Sequence, residues 1–97
     1  MREALIEMKL VKGLKAAGWL PMKFVSPGNS GVPDRIIFSP EGRVIFVEMK
    51  TETGRLTPAQ KAQMQRLRFY GQETRVLYGV KDVVAFLDEI RKDGDDT

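Results

Sequence analysis

"GVPDRIIFSPEGRVIFVEMKTETG", residues 31–54, decides how the rest of the chain is read. Two runs of Ile, Val and Phe, about 34–39 and 43–50, are joined by the turn "PEG", which makes a β-hairpin the economical reading. In the second run Val44, Phe46, Glu48 and Lys50 share one face, while Ile45, Val47 and Met49 share the other. Both faces begin apolar, so this strand is expected at the centre of a sheet covered on both sides. Glu48 and Lys50 then sit together at its C-terminal end, where open α/β sheets keep their sites. A buried ion pair, or a strand end emerging into solvent, is the plainer account of a lone E-x-K. Asp34 opens the first run on the face of Ile36 and Phe38, and across the hairpin it could bring a second carboxylate to Glu48. Its alternative is an Asx turn after Pro33.

Working outward, residues 2 to 17 read as a helix that stops at Gly18, a residue suited to a left-handed C-terminal position. "WLPMKFVS" reads as an extended segment whose Pro21 suits an edge strand, and "PGNSGVP" as a loop. "TETGRL" is a second loop. Thr57 followed by Pro58 is an N-cap and first-turn signature for a helix reaching about Tyr70, before Gly71. "ETRVLYG" is a further strand and "KDVVAFLDEIRK" a last amphipathic helix. The order αβββαβα predicts one small α/β domain over residues 1–92, with a mixed central sheet flanked by helices. A right-handed crossover would set the third and fourth strands parallel. Residues 93–97, "DGDDT", are expected to form an acidic, disordered tail.

Composition narrows the chemistry. The 97 residues suffice for one core and not two. There is no cysteine and no histidine, which excludes disulfides, thiolate zinc sites, cysteine nucleophiles, imidazole ligands and histidine bases. A bound metal would need oxygen ligands, which points to Mg²⁺ or Mn²⁺. The net charge is +3, and setting aside Asp93, Asp95 and Asp96 leaves a body with sixteen basic and ten acidic side chains. That balance suits a polyanion such as nucleic acid, although an ordinary solvated face gives it too. No apolar run reaches membrane-spanning length and the N-terminus carries charges where a secretory signal is apolar, so a soluble intracellular protein is expected.

Polar groups interrupt other apolar stripes. On the first helix Ala4, Ile6, Leu10, Val11, Leu14 and Ala17 form one stripe, and Glu7 falls within roughly 20° of Leu14. A carboxylate there needs a cation, a set of donors or a raised pKa. Glu3 is more simply explained by the helix dipole. Gln60 stands on the stripe of Met64 and Leu67, where satisfying a nearby backbone group would be its commoner use. One shared polar pocket holding Glu7, Asp34, Glu48, Lys50 and Gln60 would explain all of these positions. Its carboxylates could not stay ionised together without compensation, and a hard divalent cation beside Lys50 is the simplest source of it.

"GVPDRIIF", "EMK", "GRLTPAQ" and "RLRFYG", with thirteen residues between Asp34 and Glu48, resemble the virus-type replication-repair nuclease (VRR-NUC) domain, a branch of the PD-(D/E)XK nuclease superfamily. The resemblance runs from "EALIEMKLVKGLKAAG" to "DVVAFL" and implies a PD-(D/E)XK nuclease-like fold. It implies that Asp34, Glu48 and the Met49 carbonyl hold Mg²⁺ or Mn²⁺, that Lys50 is the motif lysine, and that Gln60 is the glutamine of the helix after the core strand. It also assigns Glu7 as the first-helix acid, serving a second metal or metal-held waters, in preference to Glu3. Lys23 and Ser26 match basic and hydroxyl positions before the PD loop. Arg35, Arg55 and the "SPGNSG" loop with Asn29 flank the motifs as candidate DNA contacts, or as plain surface charge and a flexible loop.

The implied activity is metal-dependent, structure-selective endonucleolytic hydrolysis of DNA. Stand-alone members resemble Holliday-junction resolvases, which implies a homodimer on branched or four-way DNA in the cytoplasm of a bacterial or phage-infected cell. Two rival readings stand beside it. One is a nuclease fold that holds branched DNA or a protein without cutting. The other is a basic α/β interaction domain whose buried charges are structural ion pairs.

Overall fold

A computed structural model describes residues 3–95. The elements are α1 (Glu3–Ala16), β1 (Leu20–Lys23), β2 (Arg35–Phe38), β3 (Val44–Lys50), α2 (Pro58–Phe69), β4 (Glu73–Tyr78) and α3 (Gly79–Asp95). The sheet order is β1-β2-β3-β4, with β1/β2 and β2/β3 antiparallel and β3/β4 parallel. This is the expected αβββαβα domain, with β3 central and Pro21 on the edge strand.

α1 ends as the sequence suggests. Gly18 takes φ +84°, and its amide and that of Trp19 turn back to the carbonyls of Lys15 and Leu14 at 3.0 and 2.9 Å. Ile6, Leu10 and Leu14 point into the core, where they meet Ile37, Ile45, Val47, Met49 and Leu77 of the sheet. Val83, Phe86, Leu87 and Ile90 of α3 complete the same layer. α2 lies on the opposite face, against β4, and buries Met64. Alternation along β3 therefore sends Val47 and Met49 to the α1/α3 side and Glu48 and Lys50 to the α2 side.

β4 passes into α3 without a loop, where the Asp82 carboxylate accepts the Tyr78 amide at 2.8 Å. α3 continues through Asp95, so residues 93 to 95 of the expected tail are helical; Lys92 in the last turn favours that helix end. Residues 96 and 97 lie outside the described residues. Among the described residues no helix is long and apolar enough to cross a membrane.

A second group of charges is structural. At the far end of β3 and β4, Arg43 binds Glu73 at 2.8 Å and Arg75 binds Glu89 at 2.6 Å, with Arg75 also 3.2 Å from Glu73. Hydrogen bonds from Arg43 hold the Glu73 carboxyl below its ordinary pKa, and those from Arg75 do the same for Glu89.

Candidate active site

The β2/β3 register pairs Arg35 with Val47 and Ile36 with Phe46. Continuing it by one residue sets Asp34 opposite Glu48. The ladder has ended there, and the Asp34 side chain takes the place of a strand partner, accepting the Met49 amide through Oδ2 at 3.0 Å. The backbone of Asp34 is fixed from the other side, its carbonyl accepting the Phe24 amide at 3.0 Å.

Glu48 is only 3 % exposed. Its Oε2 accepts from Gln60 Nε2 at 3.3 Å and lies 3.8 Å from Lys50 Nζ, while Oε1 is buried without a hydrogen-bond partner. Burial, first, and then the Asp34 charge push the Glu48 carboxyl up from about 4.5 to about 7; Lys50 opposes the rise, and the charge of Glu3 adds to it. Asp34 itself is exposed, so the cluster opens to solvent on its side.

Gln60 is held by a reciprocal cap. Its Oε1 accepts the Thr57 amide at 2.9 Å and its own amide donates to Thr57 Oγ1 at 3.1 Å. The N-terminus of α2 is in turn set by the loop before β2. Gly31 has φ +83°, and a Cβ there would lie 2.6–2.8 Å from the backbone of Ala59 and Gln60. Only glycine permits that approach. Gln63 Nε2 adds a bond to the Ser30 carbonyl at 3.1 Å. The glycine of "GVPD" thus positions the glutamine of "TPAQ".

Asp34, Glu48, Lys50 and Gln60 form one cluster, whereas the structure ties Glu7 and Arg35 to each other. Arg35 Nε donates to Glu7 Oε2 at 2.9 Å, and the Arg35 side chain is 13 % exposed. Arg35 shares the α1 face of β2 with Ile37, so it has little surface to offer a phosphate. Among the described residues no three acidic side chains converge as a metal cage. The acid of α1 whose charge reaches Glu48 is Glu3, so this residue does more than favour the helix dipole. A helical wheel gives the angle of a residue around α1, not its distance from the end of β3.

Ser26 and Asn29 are joined, Asn29 Nδ2 donating to Ser26 Oγ at 3.0 Å, in the loop between β1 and β2. They line one side of a groove of about 320 Å³ whose other side is α2. Lys23, at the end of β1, and Arg55, in the loop before α2, are exposed.

The donor set fits a hard cation: two adjacent carboxylates, one buried with an unsatisfied oxygen, beside a lysine. Residues 6–81 match the model of the VRR-NUC domain. The chain is similar to a protein of Acyrthosiphon pisum secondary endosymbiont phage 1 named "Putative nuclease p44", with 43% identity over 79% of this chain and 83% of that protein. A solved VRR-NUC domain superposes with a TM-score of 0.83 at 29% identity, covering 89% of this chain and 94% of its own. A second VRR-NUC domain protein, at 22% identity and a TM-score of 0.69 over 92% and 87%, shares the fold.

Proposed function

The chain belongs to the VRR-NUC nuclease family, and on that premise we propose that it is a metal-dependent, structure-selective DNA endonuclease acting at the Asp34–Glu48–Lys50–Gln60 cluster. The observation that carries this reading is the buried Glu48 carboxyl, whose Oε1 has no partner although Asp34 and Lys50 lie alongside. An acid maintained in that state costs stability unless something binds it.

Asp34, Glu48 and the Met49 carbonyl would hold Mg²⁺ or Mn²⁺. Such an ion supplies neutralisation of phosphoryl charge and a water acidified enough to attack at neutral pH. Lys50, 14 % exposed and 3.8 Å from Glu48, would orient the attacking water and stabilise charge on the phosphate in the transition state. Gln60 fixes the Glu48 carboxylate through Nε2. Glu7 acts at one remove by fixing Arg35, the residue that follows Asp34 and opens β2.

We further propose a homodimer on four-way or otherwise branched DNA. The outer face of β1 and β2 supports this, since Leu20 and Met22 are exposed there beside half-buried Ile36 and Phe38. Labelled four-way junction, flap, linear duplex and single-stranded DNA, each with Mg²⁺, Mn²⁺ or EDTA, test the whole reading. Metal-dependent cutting lost in Lys50→Ala and Asp34→Asn is the expected result, with paired symmetric cuts in the junction for the dimer. DNA binding without cleavage in every metal would overturn the catalytic reading.

A further inference from the structure

The groove between α2 and the loop before β2 is unused by the catalytic cluster. It is lined by Phe24, Ser26, Asn29, Gln63, Arg66 and Tyr70, together with Val32 and Leu67. Tyr70 is 68 % exposed and packs edge-on against Phe69, itself 83 % exposed, with ring centroids 5.3 Å apart. An aromatic ring left in water in a groove wall is costly if nothing covers it.

The groove leads from the cluster. Gln60, Gln63, Leu67 and Tyr70 fall within about 80° of one another around α2, so one helix face runs from the Glu48 contact to the exposed Tyr70 ring. Ten residues of helix span about 15 Å, the length of about four nucleotides at duplex spacing. The charge in the groove is that of Arg66, and no acidic residue lines it. Lys61 and Arg68 lie on another face of α2, where Arg68 Nε donates to the Thr74 hydroxyl at 2.7 Å, and the helix carries no acidic residue. Among the described residues Arg66 has no carboxylate partner.

A groove with an arginine on its helix side, hydroxyl and amide groups opposite and an aromatic ring at its end is suited to a nucleic-acid strand whose base can leave the stack. A duplex would keep its bases from Tyr70, and an acidic peptide would have little use for the rings. We propose that this groove holds an unpaired nucleotide about four positions from the scissile phosphate, with the base against Tyr70 and a backbone phosphate against Arg66. The nuclease would then favour DNA with an unpaired segment beside the cut over uniform duplex. This inference rests on the nuclease reading for its position, and not for the binding itself.

The full chain is titrated in EDTA, where cleavage does not intervene, against a forked DNA and a duplex of the same length, by fluorescence anisotropy. 2-Aminopurine is placed in turn at each of the first six unpaired positions. Tyr70→Ala is expected to weaken fork binding about 5- to 100-fold and to abolish the 2-aminopurine response at one position. Tyr70→Phe should retain both, Arg66→Ala should weaken the fork, and duplex affinity should change less than about twofold in all three.

Fork affinity and 2-aminopurine response unchanged in Tyr70→Ala would overturn the proposal, as would a loss of self-association in that variant with DNA binding intact. Cleavage of DNA by the wild type is scored separately with Mn²⁺. If the fork signal depends on Tyr70 but nothing is cut, the groove stands and the nuclease reading falls. If DNA is cut but Tyr70→Ala binds and cuts every substrate as the wild type does, the groove falls and the nuclease stands.

Discussion

Glu48→Gln should make the metal-free protein more stable at pH 8. The folded state holds the Glu48 carboxyl at about 7, against an ordinary value of 4.5. For an acid whose pKa is raised by folding, the native state binds more protons than the unfolded one between those values, so stability falls as pH rises through that window. The gap corresponds to about 3 kcal/mol, absent below pH 4.5 and complete somewhat above pH 7. A glutamine keeps the shape and can still accept from Gln60, but has no proton to lose. Urea unfolding followed by the buried Trp19, in EDTA from pH 5 to 8, should show wild-type stability declining and the variant flat. At pH 8 the variant should lead by up to about 3 kcal/mol, on the order of 10 °C in Tm. Saturating Mn²⁺ should then stabilise the wild type by about 2.7 kcal/mol at a hundredfold excess over Kd and leave the variant unmoved. A variant less stable than wild type at pH 8 in EDTA, or one with the same pH slope, would refute the claim that Glu48 is held at a cost.

Gly31→Ala forces a side chain into the α2 backbone at a φ of +83°; a stability loss of about 2 kcal/mol is expected, with cleavage falling roughly 10- to 100-fold through displacement of Gln60, measured by chemical unfolding and single-turnover cutting. Glu7→Gln should destabilise by about 2 kcal/mol because it strips Arg35 of its carboxylate, whereas Glu3→Gln should leave stability nearly unchanged and lower the pH at which Glu48 ionises, seen as a shift in the EDTA stability profile. Glu73 and Glu89 have folded pKa values below ordinary, so their contribution is present above about pH 4.5 and lost as pH falls through the lower folded values; in a pH-jump unfolding series Arg75→Ala should remove the Glu89 part of that acid limb and leave the Glu73 part, which Arg43 holds.

The hairpin, its register and the central place of β3 were legible because period-2 alternation depends on the strand's own residues. The helix ends were legible for the same local reason, Gly18 and Thr57-Pro58 being signals within a few residues. Arg35 could have been read correctly: it alternates with Asp34, so the pattern that put Asp34 toward the cluster put Arg35 on the opposite face. Glu3 could not, because its charge reaches Glu48 only through the axial placement of α1 against the sheet, a tertiary quantity. The groove beside α2 was half-visible. The sequence offers Ser26 and Asn29 as candidate DNA contacts, but nothing in it says that the "SPGNSG" loop faces Arg66 and Tyr70 rather than bulk solvent.

The plain and functional readings of Asp34 and Gln60 turn out to be complementary. Gln60 does cap its helix, and because Oε1 is committed to the Thr57 amide, the amide nitrogen must be the end that meets Glu48. Asp34 does satisfy a backbone amide, and because Oδ2 is committed to Met49, its carboxylate plane is fixed at the mouth of the cluster. Glu48 follows the same scheme, with Oε2 shared between Gln60 and Lys50 and Oε1 left over. Each side chain is anchored through one atom and offers another, so the orientation needed for a cation and a phosphate is set by bonds already present in the protein before either arrives. That is why ordinary capping and turn chemistry, which argued against a site when each residue was taken alone, is part of how the site is built.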